Sequence, residues 1–133
     1  MQTKLSLHAQ KRQQQRGVSN LGRNVLLTFG EVHRQKGNSQ VCFISKTILN
    51  QITSYVRSKI RNIKGDKVSY NLNTKLIKLI DEFISTISGK DLNKKLRSFL
   101  DALEHLENVI AVLSLDGTVI TILHAYKKIR VVH

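Results

Sequence analysis

The sequence predicts an α+β fold from three observations: helical periodicity over most of the chain, two short β-rich stretches each doubled around a turn, and a 41% apolar content that supports a real core in 133 residues. The expected architecture is a small antiparallel sheet of about four strands packed with N-terminal helices, with a block of further helices between the two β-rich stretches.

Residues 6–16 read as a first helix that stops at Gly17, a residue suited to the positive φ of a helix C-terminus. Ser19 can cap a second helix, which carries Val25, Leu26 and Phe29 at helical spacing and closes at Gly30. Val32–Gln35 and Gln40–Ser45 flank Lys36–Gly37–Asn38–Ser39, a hairpin signal, and VCFI is short enough for a buried strand. From Ser45 or Thr47 the period turns helical again. Ile48, Ile52, Tyr55, Val56 and Ile60 form a stripe that leaves Arg57, Lys59 and Arg61 off it.

After the Lys64–Gly65–Asp66 break come two more amphipathic segments. Leu72, Leu76, Leu79, Ile80, Phe83, Ile84 and Ile87 mark the first, and Leu92, Leu96, Phe99, Leu100, Leu103 and Leu106 the second, with Ser88–Gly89–Lys90 between them. Such stripes are core in the plainer reading and a partner-docking face in the sharper one. Asn108–Leu115 and Thr118–Leu123 then read as strands joined by a two-residue Asp116–Gly117 turn. Apolar residues at both parities, Val119 and Leu123 against Ile120 and Ile122, predict a central strand covered on both faces.

The chain carries 22 Lys+Arg against 9 Asp+Glu, a formal charge of +13, which favours a polyanion as partner: RNA, DNA, an acidic protein or an anionic surface. Residues 1–36 contribute +6 and 37–64 contribute +5, whereas 65–108 balance to zero and 109–133 add +2. The basic surface is therefore expected mainly in the first half. A lone cysteine, Cys42, excludes an intramolecular disulfide, and the five scattered histidines show no metal-ligand spacing, so neither metal nor cofactor is expected. MQTKLSLHAQKRQQQRG lacks the apolar run of a signal peptide and no stretch approaches a membrane span, which makes a cytoplasmic protein with no membrane partner the expectation.

His8, Arg12 and Arg16 recur every four residues and so share one side of the first helix. An imidazole that titrates near neutrality and two guanidinium forks on one stripe would suit a phosphate, and the plainer alternative is an ordinary solvated basic face. Only four Phe and three Tyr occur, most on core stripes, so a base-stacking platform lacks its usual equipment. Tyr126, set among Lys127, Lys128 and Arg130, is the exception. No Gly-rich phosphate loop or carboxylate pair is present, which sets aside nucleotide hydrolysis and glycoside chemistry.

HAQKRQQQRGVS, then a helix ending in FGEVHRQKG, then VCFISK, and finally VLSLDGTVIT before a basic tail resemble a small bacterial domain family of unknown function. That family has a His-x3-Arg-x3-Arg-Gly start and an Asp-Gly-Thr-Val-Ile-Thr end, and is placed with the ribonuclease-toxin fold of barnase, RelE and the colicin nucleases. The resemblance covers roughly residues 5–50 and 107–130. It implies a single domain, 1–133, in which 1–64 and 107–133 form a toxin-like α+β core and about 65–106 a helical insertion. Where the family strand continues Val-Tyr-Arg, this chain has Ile122, Leu123 and His124.

The function implied is that of a metal-independent endoribonuclease-like toxin acting on RNA, restrained by an acidic antitoxin or immunity protein. Such chemistry needs a base, an acid and cations around the phosphate. His8 and His124 would move protons, Arg12 and Arg16 would hold the phosphate, and Thr121 would orient His8 or Arg12 or satisfy a buried backbone group. Arg23, Arg34, Lys36, Tyr126, Lys127, Lys128 and Arg130 would bind the nucleic acid. His33 and Arg34 alternate to opposite faces of a strand, so one of them at most joins the site. The competing reading is a non-catalytic nucleic-acid-binding or protein-interaction module on the same fold.

Overall fold

The computed structural model describes residues 4–63 and 73–125, and its fold is α+β. The elements follow as α1 (Leu7–Gln15), α2 (Asn20–Phe29), β1 (Glu31–Arg34), β2 (Ser39–Phe43), α3 (Lys46–Ile63), α4 (Thr74–Thr86), α5 (Leu92–Glu104), β3 (Val109–Ser114) and β4 (Val119–His124). The Lys64–Gly65–Asp66 break and Leu72 lie outside the described residues.

Two compact units form, 1–45 with 105–133, and 46–104. Their boundary differs from the expected one, because α3 goes with the helices: its buried Ile52, Val56 and Ile60 make the stripe by which it packs against α5. The charge is redistributed accordingly. The α+β unit holds ten Lys/Arg against three acids and the helical unit twelve against six, so each is strongly basic.

In the α+β unit the sheet is antiparallel in the order β1-β2-β3-β4. Helix α2 lies on the Cys42 face, where the buried thiol donates to the Leu26 carbonyl at 3.4 Å. Gly30 permits that approach: a Cβ there would stand 2.5 Å from Cys42 Sγ and 2.4 Å from the Leu26 oxygen. Val41, Phe43 and Ile110 form a smaller buried cluster with half-buried Val112 and Ala125. Cross-strand register puts Val41, Ile110 and Val112 on the face opposite Cys42.

Two expectations for the C-terminal hairpin are corrected. The loop has three residues, Leu115–Asp116–Gly117, because Ser114 N–H donates to the Thr118 carbonyl at 2.9 Å and Gly117 N–H to the Ser114 carbonyl at 3.0 Å. Asp116 fixes it, its carboxylate accepting from the Ser114 hydroxyl and from Thr118 N–H at 3.0 Å. Strand β4 is also an edge and not a central strand, with Ile120 and Leu123 both about 40% exposed. A bulge at Ile120 resets its parity, since Thr121 pairs with Val112 but Val119 with Leu113. Val119 therefore shares a face with Ile122, not with Leu123.

The Ser114 hydroxyl, then the Thr118 amide, hold the Asp116 carboxyl down at about 2, from an ordinary 3.8. A carboxyl whose folded value is depressed stabilises the fold above its unfolded value, and that contribution disappears as pH falls from about 4 to 2. D116N is expected to lower Tm at pH 6 and to flatten the acid limb of the Tm profile between pH 4 and 2. An unchanged acid limb would show that the hairpin carboxylate contributes nothing.

In the helical unit, Phe83 of α4 meets Phe99 of α5 edge-on at 5.2 Å and 73°. Asp81 Oδ1 ties α4 to α3, accepting from the buried Tyr55 hydroxyl at 2.8 Å and pairing with Lys59 Nζ at 3.0 Å.

Candidate nucleic-acid interface

Helix α1 begins where the chain is fastened to β4. Leu5 bridges Val119 in parallel, Ser6 N–H donates to the Val119 carbonyl at 3.0 Å, and the Ser6 hydroxyl donates to the Ile120 carbonyl at 2.9 Å. That same hydroxyl accepts from Ala9 N–H at 3.0 Å, so one side chain both caps α1 and docks it. The helix then packs along β4 with Ala9 and Gln13 buried.

Its far end is a Schellman motif. Val18 N–H donates to the Gln13 carbonyl at 3.0 Å and Gly17 N–H to the Gln14 carbonyl at 3.1 Å, with Gly17 at φ 67° as expected of a C′ glycine. Arg16 is thereby the C-cap, and Ser19 three residues later caps α2 through Gly22 N–H at 2.9 Å. This short corner brings the second half of α1 against the first turn of α2.

A polar triangle closes the corner. Gln13 Nε2 donates to Asn20 Oδ1 at 2.8 Å, and Arg23 Nη1 donates to Gln13 Oε1 and Asn20 Oδ1, both at 3.1 Å. The acceptors around Arg23 are neutral amides. Burial pushes its guanidinium below the ordinary arginine value, and its Nε, like that of Arg16, is buried with no acceptor among the described residues. Among the described residues Arg12 donates to Gln15 Oε1 at 3.2 Å. No described carboxylate pairs with Arg12, Arg16 or Arg23. Cationic N–H groups half out of water, lacking a counter-charge, are where an anionic oxygen gains most.

The structure thus joins Arg23 of α2 to Gln13, which stands between Arg12 and Arg16 in the sequence of α1, while the other candidates lie elsewhere. His8 is exposed in the first turn of α1, at the end of the helix away from the triangle. Thr121 and His124, both half-buried, point to opposite faces of β4: Thr121 lies with Val112 and His124 with Val109. Ser6, two residues before His8, is fastened to Ile120, and His124 closes the strand four residues on from Ile120, about 13 Å along it. Arg34 ends β1 and Lys36 lies in the following turn, both exposed, on the sheet edge three strand spacings or about 14 Å from β4. His33 is engaged with Glu31 Oε2 at 3.0 Å and stacks on Phe43 at 5.4 Å. Tyr126, Lys127, Lys128 and Arg130 lie outside the described residues.

Gln13 and Asn20 are the residues that sequence reasoning missed. Gln13 stands in KRQQQR, which reads as solvated, yet it falls four residues after Ala9, the one small apolar residue of that helix. That spacing was the available signal. Cys42 is a packing residue, its thiol pushed up by burial to about 11 and so held in the unreactive form. Among the described residues no group of three or more His, Cys, Asp or Glu could hold a metal, and no helix is long and apolar enough to cross a membrane.

No protein-family model, curated protein or solved structure matches this chain.

Proposed function

We propose that the α+β unit binds RNA by its phosphate backbone at the α1–α2 corner. The observation that carries this is the group Arg12, Arg16 and Arg23, two with buried Nε atoms and none with a carboxylate partner among the described residues. An arginine fork matches two phosphate oxygens at once, and the Gln13–Asn20 amides hold Arg23 in place before any ligand arrives.

A catalytic form of this reading rests on His8, exposed one turn before Arg12 and therefore within a helix face of the same phosphate. It makes the protein a metal-independent endoribonuclease of the toxin type, with an acidic antitoxin as the partner that would cover the same arginines. Thr121 and His124 face opposite sides of β4 and so cannot both serve that site. His124 would enter only where the RNA spans the length of the strand.

The test is a fluorescein-labelled 20-nucleotide single-stranded RNA titrated with the full chain in chelator at increasing KCl, with the RNA then run on a denaturing gel. Three phosphate contacts predict a slope of log K against log salt of about −2 for a single strand. Cleavage that disappears in His8→Ala while binding persists identifies the catalytic form, and binding without cleavage identifies the non-catalytic one. Absence of binding at 50 mM KCl overturns both.

A further inference from the structure

Helix α3 carries four cations and no acid in eighteen residues, KTILNQITSYVRSKIRNI. At 100° per residue its exposed positions Lys46, Thr47, Asn50, Ser54, Arg57 and Arg61 fall within one arc of about 100° and Asn62 lies about 60° beyond it, and every one is cationic, amide or hydroxyl. Leu49, Ile52, Val56 and Ile60 are buried, and Lys59 is paired with Asp81. What remains outside is a face about 24 Å long, from Lys46 to Asn62, without apolar or acidic interruption.

Its arrangement has polarity along the axis. Arg57 and Arg61 lie one turn apart toward the C-terminal end, and Asn50 and Ser54 lie one turn apart in the middle. Guanidinium groups at a helix end suit phosphates, whereas an amide and a hydroxyl at mid-helix suit base edges, the amide matching the donor–acceptor pair of adenine. A face carried on a single helix fits the major groove of B-form DNA, which is about 12 Å wide. The major groove of A-form RNA is too narrow to admit it.

We infer that the exposed face of α3 is a second nucleic-acid surface, independent of the α1–α2 corner, and that its ligand is duplex DNA entered from the major groove. Arg57 and Arg61 hold backbone phosphates at the C-terminal end of the face and Asn50 and Ser54 meet base edges at its middle. An anionic membrane is the poorer occupant, because the apolar side of α3 is buried within the helical unit and not available for insertion.

The experiment uses the full chain with a mixed-sequence 24-base-pair DNA duplex, the RNA duplex of the same sequence, and the single-stranded RNA above. R57Q/R61Q is expected to weaken DNA-duplex binding at least about tenfold at 0.1 M salt and to reduce its salt slope by about two, leaving single-stranded RNA binding unchanged. R12Q/R16Q is expected to do the reverse. Guanine N7 methylation, which blocks the major groove, is expected to interfere with binding of the wild-type protein. Both arginines are exposed, and an unchanged circular dichroism melt confirms that the variant folds. DNA affinity equal to wild type in R57Q/R61Q, equal losses on DNA and RNA duplexes, or indifference to N7 methylation overturns the inference. Each outcome is independent of whether the α1–α2 corner binds RNA.

Discussion

R12Q/R16Q is expected to weaken single-stranded RNA binding roughly 10- to 100-fold at 50 mM salt, the largest functional change that any pair of substitutions in the α+β unit should cause. The magnitude follows from two lost phosphate contacts, each releasing somewhat under one counterion on a single strand. Their placement makes the loss specific. Arg12 is half-buried against Gln15, and Arg16 is held as a helix C-cap with its Nε out of water, so neither is a free surface cation whose role a neighbour could assume. R12K/R16K keeps the charge and loses the fork. It is expected to restore the salt slope but only part of the affinity, because a lysine meets phosphate as a point charge. Anisotropy titrations of the three proteins across 50–300 mM KCl measure both quantities. Wild-type affinity in R12Q/R16Q would return this stripe to the status of a solvated basic face.

Most of the fold was legible because its signals are local. Ser19 and Gly30 bound α2 as capping residues should, Gly17 takes a positive φ, and the stripes at Ile52–Ile60, Ile80–Ile84 and Leu96–Leu103 face cores. The errors arose where one residue changed the geometry of its neighbours. Asp116 captures both Ser114 and Thr118 and so lengthens the hairpin loop, and the bulge at Ile120 reverses which residues share a face. Apolar residues at both parities looked like a central strand for the same reason.

The candidate site was half legible. Four-residue spacing placed Arg12 and Arg16 one turn apart on α1 and its cap, since helical periodicity decides that. Their union with Arg23 depends on a two-residue corner and on Gln13, a polar residue that is buried only because it shares a face with Ala9. Thr121 and His124 are three residues apart on one strand, and strand alternation alone separates them once no bulge lies between. The location of the charge was misread through the boundary of the helical unit. Assigning α3 to the α+β core placed Arg57 and Arg61 there, whereas α3 packs with α5 and takes its cations to the helical unit.

Phe99→Ala is expected to cost about 3–5 kcal/mol, the largest loss of stability from any single substitution in the helical unit. Phe99 is fully buried on α5, beside Leu96 and Leu103 on the same stripe, and it receives the Phe83 ring of α4 edge-on. Alanine removes the transfer free energy of a whole ring and leaves a cavity that a helix pair anchored by Tyr55–Asp81–Lys59 on its other side cannot close by sliding. The edge-to-face contact adds to that loss, and Phe99→Leu, which keeps most of the volume, is expected to recover over half of it. Urea unfolding followed at 222 nm reads the effect as a shift in midpoint at constant m. A loss below about 1 kcal/mol would mean that Phe99 is not at the centre of the α4–α5 packing. A change in m instead would show that the helical unit no longer unfolds in one step with the rest of the chain.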